Sequence, residues 1–89
     1  MFTPVWTNQF RKDVQIAKKR GRDIERLRRV IASLLEGKPL EPRYREHKLH
    51  GDYEDCRECH VQADWLIIYR FVGNELHFLR TGTHSDLFG

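Results

Sequence analysis

The apolar positions of this chain change period once, near its middle. In the first half Phe10, Val14 and Ala17 recur at helical spacing, with Arg11, Lys12, Lys18 and Lys19 around the other side. Asn8 (or Thr7) can accept a first-turn N–H, and Gly21 supplies a stop. Asp23 can cap a second helix. There Ile24, Leu27, Ile31, Leu34 and Leu35 form one stripe, while Arg26, Arg28 and Arg29 lie off it. Gly37 and Pro39 end that helix. Ahead of both, Thr3 to Thr7 reads as a short strand. The second half is built of shorter, more apolar runs: Cys56–Val61, Trp65–Val72 and Glu75–Thr81 are strand candidates. Gly73-Asn74 is a good two-residue hairpin turn, and Gln62-Ala63 turns the first pair. Between the halves, Lys38 to about Asp55 keeps no period, and loops of that length are often functional. The tail from Gly82 to Gly89 has no period either.

The order is strand, helix, helix, then an antiparallel meander. It predicts an α+β domain over residues 1–89 with both helices packed on one face of the sheet, leaving the other face for function. At 89 residues and 10.7 kDa the chain makes one domain, with a stability on the order of 4–13 kcal/mol. No apolar run approaches the roughly 20 residues of a membrane span. The N-terminus lacks the basic-then-apolar pattern of a signal peptide, so the expected location is the cytoplasm. Charge is uneven. Residues 1–50 hold 13 Lys/Arg against 6 Asp/Glu, a balance of +7, and residues 51–89 hold 3 against 7, a balance of −4. A basic half suits a polyanionic partner; it also suits a solvated helix face.

Two sets of residues invite chemistry. Cys56-Arg57-Glu58-Cys59 is a CxxC, but zinc needs four converging ligands, and no second pair follows. On a strand the two thiols point to opposite faces, so neither metal nor a redox disulfide is expected. The histidines carry more. His77 lies mid-strand and His50 in the loop, whereas His47, His60 and His84 fall in a loop or at strand ends, together with Asp64. Imidazole and carboxylate trade protons near neutral pH. Whether His60 faces Asp64 depends on the turn. A three-residue Val61-Gln62-Ala63 loop sets them opposite, and a two-residue Gln62-Ala63 turn sends Asp64 to the other side of the sheet.

Three blocks are similar to a known family: Lys12–Arg20 in the first helix, Tyr44-Arg45-Glu46-His47 through Leu49 and Gly51, and Arg57–Tyr69 leading to Arg80–Phe88. The combination of Arg57, His60, Asp64 and Trp65 with a terminal Thr-Gly-Thr-His resembles the YafQ-type toxins of the RelE superfamily, from bacterial toxin–antitoxin pairs. That resemblance implies a microbial-ribonuclease-like fold. It implies an endoribonuclease that cuts mRNA on the ribosome without a metal or other cofactor. It also implies a cognate antitoxin as partner, and contact with DNA only through the toxin–antitoxin complex. The family's functional positions fall on His47, His60, Asp64, Trp65, His84 and Phe88. The acidic stretch Asp52–Asp55 departs from the more basic or aromatic one expected there.

On chemical grounds RNA brings its own nucleophile, the 2′-OH. Cleavage then needs a base, an acid and positive charge on the phosphate. His60, Asp64 and His84 are the expected proton-transfer set, with His84 favoured as acid. His47 and Arg80 are expected at the phosphate, and Trp65 and Phe88 against a base. The sequence leaves open which group is the base. A rival reading is a non-catalytic nucleic-acid-binding or repressor module, which calls for Lys and Arg rather than titrating pairs.

Overall fold

A computed structural model describes residues 1–89. Strand β1 (Thr3–Trp6) leads into helix α1 (Asn8–Lys19) and helix α2 (Ile24–Glu36). A short β2 (His47–Lys48) precedes β3 (Arg57–Gln62), β4 (Trp65–Val72) and β5 (Glu75–Gly82), and the chain closes in α3 (His84–Phe88). The sheet order is β1-β5-β4-β3-β2, with β1 parallel to β5 and the other pairs antiparallel. The caps follow the sequence. The Thr7 hydroxyl accepts the Phe10 N–H, the Asp23 carboxylate accepts that of Arg26, and Gly37 takes a left-handed φ of 73° after α2.

Both helices cover one face, as the periodicity predicts. There Phe10, Ala17, Leu27, Val30 and Leu34 meet Cys59, Val61, Trp65, Ile67, Tyr69, Leu76 and Phe78 in one buried cluster. A smaller cluster of Cys56, Leu66, Ile68 and Leu87 supports the opposite, open face. The two thiols thus point to opposite faces, and both are free. Burial pushes the Cys59 thiol well above its ordinary pKa, which makes it inert.

Two expectations are corrected. The tail is a helix, because Thr83 and Asp86 form a reciprocal capping box and Leu87 buries beneath the open face. The period of a five-residue helix is too short to register in sequence. The loop Lys38–Asp55 is also partly regular, holding β2 and two 3₁₀ turns at Pro42–Tyr44 and Gly51–Tyr53.

One charge is buried in the helix-side interface. Asp13 on α1 accepts from Arg80 Nε at 2.8 Å, from the Thr81 backbone N–H at 3.1 Å and from Gln9 at 3.0 Å. Strand β1 stops at Trp6, opposite Phe78, so the edge of β5 beyond it has no strand partner. Asp13 stands in for that missing strand. Removing it orphans a guanidinium and a buried N–H at once. We therefore expect Asp13→Ala to cost about 3–5 kcal/mol, a large fraction of the total. Denaturant midpoints check this; a change within about 0.5 kcal/mol, the scale of an ordinary surface substitution, would show that the carboxylate is not a structural anchor.

Candidate active site

The open face presents a line of ionisable groups fixed by strand geometry. His47 on β2 pairs directly across from Glu58 on β3. His60 lies two residues further along β3, on the same face. Glu58 is only 3% exposed, and one of its oxygens lies 3.4 Å from His47 Nε2 and 3.5 Å from His60 Nε2. The other nitrogen of His47 donates to the Arg45 carbonyl at 2.8 Å, which fixes its tautomer. Arg45 itself sits at φ 48°, a left-handed conformation that a non-glycine residue adopts at a cost.

The turn between β3 and β4 settles the register question in a third way. Gln62 pairs with Trp65 and His60 with Leu66, so the turn is Ala63-Asp64 and Val61 is the extra, bulged residue. Neither a Val61–Ala63 loop nor a Gln62-Ala63 turn forms. Two arginines hold the carbonyls of this turn: Arg26 Nε donates to Val61 at 2.7 Å and Arg22 to Asp64 at 3.4 Å. The Asp64 side chain then reaches α3. Its Oδ1 accepts the His84 backbone N–H at 3.0 Å and His84 Nδ1 at 2.9 Å. The His84 backbone N–H, followed by the ring, holds the Asp64 carboxyl below its ordinary range.

His60, Asp64 and His84, the expected proton-transfer set, therefore meet. The rings of His60 and His84 lie 5.8 Å apart. His47 joins them through Glu58. Phe88 lies 6.2 Å from His84 and edge-on to Tyr53, about half exposed. Arg80 is engaged by Asp13, with its side chain 25% exposed. Trp65 departs from expectation. It is 1% exposed in the helix-side core, and its indole N–H donates to Thr81. A ring in that position fixes the turn beside Asp64 and offers no free face to a base. Glu58 was missed by sequence reasoning. The available signal was its place two residues before His60, on the same strand face.

Glu58, His60 and His84 also bring three ligand atoms within 4.8 Å of one another. Two imidazoles and a carboxylate suit a divalent transition metal.

Helix α3 is tied down independently. Asp86 accepts from Arg20 at 2.6 Å and from the Thr83 N–H at 3.0 Å. A Cβ on Gly82 would stand 2.9 Å from the Asp86 side chain, so this approach requires glycine.

The family model of the bacterial toxin of the type II toxin–antitoxin system, YafQ, matches residues 2–89. The mRNA interferase toxin YafQ of Escherichia coli K12 is 39% identical over 85 residues, covering 94% of this chain and 92% of that protein. The E. coli DinJ–YafQ complex superposes at a TM-score of 0.93 with 37% identity over the whole of both chains. A metal-bound toxin from Helicobacter pylori superposes at 0.92 with 39% identity, covering 99% of this chain and 100% of that one.

The Arg20 guanidinium, followed by the Thr83 N–H, holds the Asp86 carboxyl far below its ordinary value of 3.8. A depressed carboxyl contributes stability that is fully present above that ordinary value and lost as pH falls through the native one. Below about pH 4 the α3 anchor should therefore weaken. Protection factors of the Leu87 and Gly89 amides, taken relative to their intrinsic exchange at each pH, should fall there, and Asp86→Asn should show the lower protection already at neutral pH. Wild-type protection in the variant at neutral pH would contradict the anchor.

Proposed function

The chain belongs to the YafQ family of bacterial type II toxin–antitoxin toxins, and on that footing we propose that it is an endoribonuclease. It cuts mRNA on the translating ribosome in the cytoplasm and is silenced by its cognate antitoxin. It reaches DNA only as part of the toxin–antitoxin complex. The observation that carries this reading is the His60–His84 pair, 5.8 Å apart on the open face, with a carboxylate behind each ring.

Two imidazoles at that spacing can flank one phosphodiester. One removes the 2′-OH proton as that oxygen attacks phosphorus, and the other protonates the departing 5′-oxygen. His84 is favoured as the acid. The Asp64 carboxylate accepts its Nδ1–H and would stabilise an imidazolium. Asp64 is a weak base because its own pKa is lowered, so it serves as the orienting group and His60 as the base. Glu58 plays the same orienting part for His60. Arg80 and His47 neutralise charge on the phosphate, and the half-exposed Phe88 offers a face to a base. Trp65 contributes by holding the turn.

A divalent ion would be held by Glu58, His60 and His84 and would supply Lewis-acid polarisation of the phosphate. It would do so by occupying the histidine lone pairs that the proton-transfer route requires.

A single positioned proton-transfer group supplies about 10²–10⁴-fold. His84→Ala and His60→Ala should each lower mRNA cleavage on purified ribosomes by that order, with Asp64→Ala at the lower end. Growth arrest on induction, relieved by the antitoxin, should disappear in parallel. Full cleavage by both His84→Ala and Asp64→Ala would remove the assignment. Intact mRNA and unimpaired growth with the wild-type chain would favour a non-catalytic nucleic-acid-binding or repressor module.

A further inference from the structure

Beside the histidines lies a second concavity that this chemistry leaves unused. It is lined by Arg26, Arg43, Tyr44, Arg45, His60, Val61, Gln62 and Ala63, a set with three guanidiniums and no carboxylate. His60 lines this cleft as well as the histidine cluster, so the two adjoin at that residue.

Each arginine reaches it by a different local device. Arg26 on α2 is fixed through Nε to the Val61 carbonyl, which leaves its terminal nitrogens free to donate. Arg43 lies 4.8 Å over the Tyr44 ring and donates to its hydroxyl at 2.8 Å. Its other contact, Glu41 at 3.2 Å, is an exposed pair of little strength. Arg45 has no carboxylate within ion-pair distance and occupies a backbone conformation that glycine or asparagine adopts more readily. An arginine at such a position, whose side chain has no carboxylate partner, is available to an external one.

We propose that this cleft is an RNA subsite. In it Arg43 and Arg45, backed by Arg26, bind phosphodiesters of the strand next to the one being cut. The proposal rests on the ribonuclease reading only for which strand enters. An acidic protein segment would be a weaker match, because the cleft is continuous with His60 rather than separate from the reacting groups.

The test is a binding measurement. Purified toxin is titrated with a short single-stranded RNA carrying 2′-O-methyl riboses, which retains every phosphate but lacks the nucleophile. Affinity is measured as a function of salt. Each lost phosphate contact makes the log–log slope shallower by about 0.7 for single strands. Arg43→Gln/Arg45→Gln should therefore lose about 1.4 from the slope. Arg43→Lys/Arg45→Lys should restore it, because charge rather than fold sets the slope; that variant also shows that the cleft tolerates substitution. Lys18→Gln/Arg28→Gln, the same loss of charge on the helix side, should leave the slope unchanged.

A second arm measures binding to ribosomes without mRNA. A shallower oligonucleotide slope identifies the phosphates as the substrate's. An unchanged oligonucleotide slope with weaker ribosome binding identifies them as ribosomal RNA. Unchanged behaviour in both arms overturns the proposal, as does a loss confined to antitoxin affinity. The readout is independent of cleavage. A wild-type chain that shows the slope but never cuts would sink the ribonuclease reading and leave the subsite standing.

Discussion

The buried carboxylate of Asp13 is the constraint on which the other pieces depend. It accepts from α1 itself through Gln9, from the β5 backbone at Thr81 and from the Arg80 side chain. A charge in that position is tolerated only because every one of these donors is present. Its effect travels. With the Thr81 backbone fixed, the Thr81 hydroxyl accepts the Trp65 N–H and donates to the Leu66 carbonyl. That pins the start of β4, and with it the turn that carries Asp64. The residues after Thr81 then lead into Gly82 and α3, where Arg20 at the end of α1 meets Asp86. Helix α1 thus holds the site at two points, one buried and one exposed, although none of its residues touches the histidines.

The open face is organised by the alternation of β3. Glu58 and His60 are two residues apart, and the pairing with β2 adds His47 across from Glu58. The bulge at Val61 takes up one residue before the turn. Without it Asp64 would leave the turn in a different register and lose the two bonds to His84. The two histidines therefore owe their proximity to an irregularity, not to a regular hairpin. Each is backed by a carboxylate of different burial: Glu58 nearly enclosed, Asp64 open to solvent.

Much of this was legible in the sequence because its causes are local. The caps at Thr7, Asp23 and Gly37, the apolar stripe of α2 and the Gly73-Asn74 turn act within a few residues, and the elements form where those signals stand. The resemblance in Arg57–Tyr69 and Arg80–Phe88 named His60, Asp64 and His84, which the fold brings together. What escaped depends on distant contacts. Helix α3 has five residues and is stabilised by Arg20, more than sixty positions away. Trp65 carries the residue type of a stacking platform, but its burial is decided by helices that precede it in the chain. Glu58 looks like a surface strand residue until β2 is known to set His47 across from it.

Charge along β3 gives the open face a direction. At its first end stands the acidic turn, with Glu54 and Asp55 beside Cys56 and Arg57. At its far end, around Val61–Ala63, stand Arg26, Arg43 and Arg45. Lys48, Arg57 and Arg70 line that first end as well, so its charge is mixed, whereas the far end carries arginines with no carboxylate. Tyr53 belongs to the acidic turn and packs edge-on against Phe88, so that segment supports the half-exposed aromatic ring of the terminal helix. The acidic stretch that departs from the family's pattern is thus offset by neighbouring cations. Under the proposed function, the arginine end is the purely cationic place for a phosphate backbone, and the exposed ring of the terminal helix is the place for a base.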